Sequence, residues 1–167
     1  MGLKSQTELL LNIKIVMENK IKLFIFDWGG TLCDLKTDII FKNVHEVLSY
    51  LSKRYKLVLV SLAVSESSQI RSVKIQNSEI AKFFTQIIVG DKGKDQMYEK
   101  VLVDFEVRPE EVVVVDNQVV YGIKWGNSKG ATTVWLKNGE FENDLPNSET
   151  GMPSVTINNI LELKELY

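Results

Sequence analysis

Asp27 ends the apolar run Leu23-Phe24-Ile25-Phe26 and opens the turn Trp28-Gly29-Gly30, with the hydroxyl of Thr31 four residues on. A carboxylate delivered by a buried strand to the mouth of a parallel sheet suits a nucleophile that takes a phosphoryl group covalently. The two glycines let backbone N–H groups turn toward an anion. Such a charge is costly at that depth unless a cation or several N–H donors meet it. The competing reading is an Asp that caps the next turn, because Asp-x-Gly after a strand is common turn chemistry.

The run Asp27-Trp28-Gly29-Gly30-Thr31 resembles the first motif of the haloacid dehalogenase superfamily, Asp-x-Asp-x-Thr, in which the first Asp attacks the substrate. Asp27 and Thr31 match. Gly29 replaces the second acid, which in the family's phosphatases protonates the leaving group and then activates the hydrolytic water. Phosphonoacetaldehyde hydrolase, with its Asp-Trp-Ala-Gly-Thr, and the dehalogenases also lack it. The resemblance implies Asp27 as nucleophile, with Trp28, Gly29, Gly30 and Thr31 forming the loop that receives substrate.

Three further stations match the family in order. Ser61 ends Leu57-Val58-Leu59-Val60, where the family has a Ser or Thr that hydrogen-bonds the transferring oxygens. Asp91-Lys92-Gly93-Lys94-Asp95 offers two candidates for the motif lysine, which neutralises charge as bonds rearrange. Lys94, four residues before Tyr98, fits the shorter version and is preferred; Lys92 fits the longer one and stays a candidate for the substrate. Asp116-Asn117 follows Glu111–Val115 at the last acidic motif, but its second member is an amide, and Tyr121 and Gly122 hold the places of a further acid. The resemblance implies Mg2+, with Asp27, the Gly29 carbonyl, Asp116 and the Asn117 amide oxygen as hard ligands. Each station has a plainer reading, as a turn serine, solvated lysines or a strand-end cap.

The elements that must position these residues alternate. Apolar runs predict strands over Ile21–Phe26, Lys56–Ser61, Gln86–Val89, Glu111–Val115, Thr132–Leu136 and Val155–Ile157. Helical spacing predicts helices over Ile39–Arg54, Ser67–Ile80, Gln96–Phe105, Gln118–Lys129 and Asn159–Leu166. The rhythm is that of an α/β fold, a doubly wound, Rossmann-like parallel sheet with helices on both faces. Residues 21–167 form that domain, and residues 1–20 an N-terminal extension with a helix over Thr7–Met17. Asn138 to Pro153 reads as a surface loop. Only 33 residues separate Asp27 from Ser61, and about as many separate Ser61 from Lys94, so no separate cap domain fits. A site without a cap is expected to be open, or partly covered by the N-terminal helix or a partner chain.

With 167 residues, 44% of them apolar, and a net charge of −2, the chain suits one globular domain. Lys and Arg are scattered among acids, so no nucleic-acid partner is expected. No apolar stretch reaches about 18 residues, so no membrane partner is expected either. Cys33 is the only cysteine, which excludes internal disulfides and favours a reducing, cytoplasmic setting. It lacks an evident base and reads as a small buried side chain. His45 reads as a surface residue, and Trp125 and Trp135 as packing residues. Trp28 either shapes the entrance to the site or packs beneath the loop. Asp34, Asp38 and Glu46 are acids within reach of the loop after Asp27 and are candidates to stand in for the missing one.

The leading expectation is a Mg2+-dependent phosphohydrolase working through an aspartyl-phosphate on Asp27, with Ser61 and Lys94 on the phosphoryl oxygens. Its turnover is slow, because the acid at Gly29 is missing. Its partner is a phosphorylated substrate, macromolecular or small, and assembly into a homo-oligomer is compatible with the sequence. The alternative is an inactive phospholigand-binding or assembly module on the same fold. A dehalogenase or phosphonate hydrolase ranks lowest, because the cap those enzymes use has no room here.

Overall fold

A computed structural model of the chain describes residues 20–167, so the helix expected over Thr7–Met17 lies outside the described residues. The strands are β1 (Leu23–Phe26), β2 (Cys33–Asp34), β3 (Ile39–Ile40), β4 (Lys56–Leu62), β5 (Gln86–Gly90), β6 (Val112–Asp116), β7 (Thr132–Leu136) and β8 (Val155–Ile157). The α-helices are α1 (Val44–Leu51), α2 (Ser68–Gln76), α3 (Lys94–Asp104), α4 (Lys124–Lys129) and α5 (Leu163–Leu166). Six strands form one parallel sheet in the order β5-β4-β1-β6-β7-β8.

Strand alternation sends successive side chains to opposite faces, and both faces are covered. Phe24, Phe26, Leu57, Leu59, Val113 and Val115 pack with Val44, Val47, Leu48 and Leu51 of α1 and Leu163 of α5. Leu23, Ile25, Val58, Val60, Val112 and Val114 pack with Met97, Tyr98 and Val101 of α3 and Trp125 of α4. A fully buried Leu, Ile, Val or Phe contributes roughly 1.5–3 kcal/mol. Two such layers outweigh the several kcal/mol that each ion costs at the sheet's mouth.

From β1 the chain winds to β4 and β5 on one side, then returns to β6, β7 and β8 on the other. The winding therefore reverses between β1 and β6, and a crevice opens past their carboxyl ends. Asp27 follows one of these ends and Asp116 closes the other. Lys22 fixes the opposite ends, its N–H donating to the Glu111 carbonyl at 2.9 Å and its ammonium pairing with the Glu111 carboxylate at 2.7 Å.

Three helices depart from expectation. Ile39 and Ile40 are not the start of a helix. They form β3, antiparallel to β2, in a short hairpin directly after the Asp27 loop. Asn43, with φ 73°, breaks the chain between β3 and α1. The helix expected over Gln118–Lys129 opens with a wide π turn at Val119–Ile123 before α4, and the last helix opens with a tight turn at Ile160–Glu162. Among the described residues, no helix is long and apolar enough to cross a membrane.

Candidate active site

The Asp27 backbone N–H donates to Val115 of β6 at 3.0 Å, which sets the residue at the crevice. The chain then turns so tightly that Leu32 and Cys33 both donate to the Trp28 carbonyl, at 2.8 and 3.2 Å. Gly30 allows this turn. Its φ is +78°, and a Cβ there would stand 2.2 Å from Nδ2 of Asn117. Thr31 ties the loop to the end of β6, its Oγ1 accepting the Asn117 N–H at 3.1 Å. The single hydroxyl proton has two acceptors at 3.3 Å, Oδ2 of Asp27 and Oδ1 of Asn117.

Lys94, at the start of α3, supplies the cation that the buried carboxylate requires. Its Nζ lies 2.6 Å from Oδ1 of Asp27 and 3.0 Å from Oδ2 of Asp116, and all three side chains are buried. The ring of Tyr121 lies under the same ammonium, 4.9 Å from Nζ to its centroid. Burial pushes the Asp27 carboxyl up to about 6, against the pull of Lys94 and with the repulsion of Asp116. Burial works against the charge of Lys94, but Asp116 and Asp27 outweigh it and hold its pKa well above the usual lysine value.

Asp116 is held from every side. Its Oδ1 accepts the Gln118 N–H at 2.9 Å, and its Oδ2 accepts from Lys94, from the Gly122 N–H at 3.0 Å and from the Tyr98 hydroxyl at 3.3 Å. The π turn is what brings the Gly122 N–H to this carboxylate. Asn117 is fixed by its backbone carbonyl, which accepts from Nε1 of Trp135 at 3.1 Å, so Trp135 does more than fill the core.

A cavity of about 70 Å³ opens among these groups, lined by Asp27, Gly29, Ser61, Lys94 and Tyr121 together with Leu35 and Arg71. Ser61 is 1% exposed, and its Oγ accepts from Nη1 of Arg71 at 3.4 Å. Gly29 and Leu35 also border a hollow of about 300 Å³ lined by Phe41, Phe141, Asn117 and Asn138. The structure thus gathers Asp27, Gly29, Thr31, Ser61, Lys94, Asp116 and Asn117. It does not bring Lys92 to them, because Lys92 is exposed beside Gln96 and Lys100 on a separate hollow. Trp28 packs beneath the loop, 2% exposed, and does not line the cavity.

The candidate stand-in acids are engaged elsewhere. Asp38 pairs with Lys74, Glu46 pairs with Lys164, and Asp34 accepts the Lys36 N–H in the hairpin turn at 2.7 Å. Leu35 occupies the missing acid's place: a Cβ built on Gly29 would lie 2.4 Å from its Cδ1. His45 packs edge-on against Phe83, and the Cys33 thiol, buried and pushed up to about 12 by desolvation, is no nucleophile. Arg71 and Leu35 are the residues that sequence reasoning missed. A lone arginine on a polar helix and a leucine in a turn carry no signal without the fold. Among the described residues, no group of three or more His, Cys, Asp and Glu side chains is placed to hold a metal. The donor set is two carboxylates and amide or carbonyl oxygens.

A model of the haloacid dehalogenase-like hydrolases matches residues 3–136. The glyceraldehyde 3-phosphate phosphatase of Pyrococcus furiosus is 32% identical over 82 residues, 46% of this chain and 34% of that protein. The chain thus matches about a third of that relative's length. A haloacid dehalogenase-like hydrolase of Streptococcus pneumoniae superposes with a TM-score of 0.72 at 13% identity, covering 88% of this chain and 98% of that one. A HAD-hydrolase of Bacillus subtilis whose crystal structure holds magnesium superposes with a TM-score of 0.73 at 13% identity, covering 87% and 98%.

Proposed function

The chain belongs to the haloacid dehalogenase-like hydrolases, and from that premise we propose that it hydrolyses phosphoric monoesters through an aspartyl-phosphate on Asp27. The observation that carries the reading is the buried Asp27 carboxylate, bound by Lys94 at 2.6 Å in a cavity that also holds Ser61. The name of the Pyrococcus relative supports the same substrate class.

In this reading Asp27 attacks phosphorus, the ester P–O bond breaks, and the leaving oxygen departs with the electron pair. Lys94 and Ser61 hold the non-bridging oxygens as charge builds on them. Thr31 orients the second oxygen of Asp27. Asp116, with four donors on its two oxygens, fixes Lys94 in place. Water then cleaves the aspartyl-phosphate. Mg2+ would be held by Asp27, the Gly29 carbonyl, Asp116 and the Asn117 amide oxygen, and it would neutralise phosphoryl charge. With the Asn117 amide in the place of a further carboxylate, its affinity would be weak.

Leu35 in the place of the acid removes general acid–base help, worth about 10²- to 10⁴-fold, so turnover is slow and favours acidic leaving groups. The same observation supports a second reading, a silent phospholigand-binding module. The two part on hydrolysis of p-nitrophenyl phosphate with magnesium, with EDTA, and in Asp27→Asn. Metal-dependent release that vanishes in the variant supports the enzyme. Release that survives in the variant refutes Asp27 as nucleophile, and no release in any arm favours the binding module.

A further inference from the structure

We infer that Arg71 is a phosphoryl-binding residue, forming with Lys94 a two-cation clamp that holds a phosphate dianion without metal. The inference rests on the phosphohydrolase reading and adds a residue to that site.

Arg71 is 3% exposed, and the only other buried residue on α2 is Ile75. A guanidinium at that depth is costly unless paired and hydrogen-bonded. Its Nε is held by Glu66, while Lys74 holds Glu66 in turn at 2.9 Å. Its Nη1 donates to Ser61 at 3.4 Å. These contacts engage two of the five N–H donors of a rigid planar fork, and the fork lines the 70 Å³ cavity beside Asp27 and Lys94. Such a fork matches two oxygens of a tetrahedral anion.

The charges decide which cation can attract an anion. Lys94 is faced by two carboxylates, so by itself it leaves the cavity without net positive charge, and a clamp built on it needs a second cation. Arg71 is faced by one carboxylate, Glu66, which it shares with Lys74; Lys74 in turn is shared with the half-exposed Asp38. Arg71 is therefore the less neutralised of the two cations that line the cavity, on the side where Ser61 stands. It also positions that serine, because its donated hydrogen bond leaves the Ser61 hydroxyl proton to point at a phosphoryl oxygen.

The test is calorimetric titration of the purified chain with inorganic phosphate and with tungstate, in EDTA and in magnesium. Wild type should bind in EDTA. Arg71→Gln should weaken binding about 10- to 100-fold, the worth of one hydrogen bond from a charged donor, with an unchanged circular dichroism spectrum. Folding should hold, because Lys74 keeps Glu66 paired. Arg71→Lys, which keeps the charge but loses the fork, should fall between, and it decides the matter if the Gln variant does not fold. Unchanged affinity in a folded variant overturns the assignment of Arg71 alone. A wild type that hydrolyses phenyl phosphates but binds phosphate only with magnesium overturns the metal-free clamp. A wild type that neither binds phosphate nor hydrolyses phosphate esters overturns the underlying reading as well.

Discussion

Gly29→Asp combined with Leu35→Ala should restore the acid that the site lacks. Gly29 is not among the glycines with positive φ, so its backbone accepts a side chain. The obstacle is Leu35, whose Cδ1, Cγ and Cδ2 would lie 2.4, 2.6 and 2.8 Å from a new Cβ. Gly29→Asp alone must push the Cγ and both Cδ atoms of Leu35 aside, so it should give the smaller gain. Cutting Leu35 back to Ala removes all three atoms at modest cost, because half of that side chain is already in water. General acid–base catalysis is worth about 10²- to 10⁴-fold, or roughly 3–5 kcal/mol of barrier. The gain should concentrate on poor leaving groups, which need a proton as they depart. The assay compares initial rates on an alkyl phosphate and on p-nitrophenyl phosphate for wild type, both single variants and the double variant. The ratio of alkyl to aryl kcat should rise in the double variant and stay flat in Leu35→Ala. A folded double variant with an unchanged ratio would show that the missing acid does not limit turnover.

Gly122→Ala should be costly, because its Cβ would stand 2.8 Å from both Oδ2 of Asp116 and Cγ1 of Val114. Overpacking of this kind costs about 1–3 kcal/mol, or roughly 2–12 °C in Tm for a chain of this length, read by thermal melting. Cys33 should resist iodoacetamide at pH 8 in the native protein and react once unfolded, as its burial and its thiol pushed up to about 12 require; mass spectrometry reads this directly. The Arg108 N–H and the Lys22 ammonium lower the Glu111 carboxyl to about 2. The charged form is the stabilising one, so its contribution is full above the ordinary value near 4.5 and is lost as pH falls toward 2. The Tm gap between wild type and Glu111→Gln should therefore be widest near neutrality and shrink across that window.

The sheet was legible because each of its strands is a short apolar run bounded by polar or turn residues, and the spans Thr132–Leu136 and Val155–Ile157 are as expected. Asp27 and Asp116 stand out in the sequence for the same reason, since each interrupts or follows such a run. The hairpin was not legible. Ile40, Val44, Val47, Leu48 and Leu51 share helical spacing, so β3 reads as the first turn of α1, although Phe41, Lys42 and the left-handed Asn43 separate them. The π turn at Val119–Ile123 goes with the Gly122 N–H donated to Asp116 six residues back, a side-chain contact that the apolar periodicity of the segment does not reveal. Arg71 escaped notice because a single arginine on a polar helix ordinarily faces water. Its burial is decided by Glu66, Ser61 and the neighbouring strands.

The ion cluster also joins chain segments of very different separation. Lys94 and Asp116 are 22 residues apart, and α3 and β6 alone can bring them together; Lys94 and Asp27 are 67 apart. Asp27 takes its place only when β1 slots between β4 and β6 at the centre of the sheet. A partly folded chain without β1 holds the ammonium with a single carboxylate, a balanced pair, and the second carboxylate arrives with the closing of the longer of these two loops. Contacts of long range form late, because their loop entropy must be met first. Placement of the Asp27 carboxylate against Lys94 is thus the same event as completion of the sheet, and a chain that has not finished folding has an incomplete ion cluster.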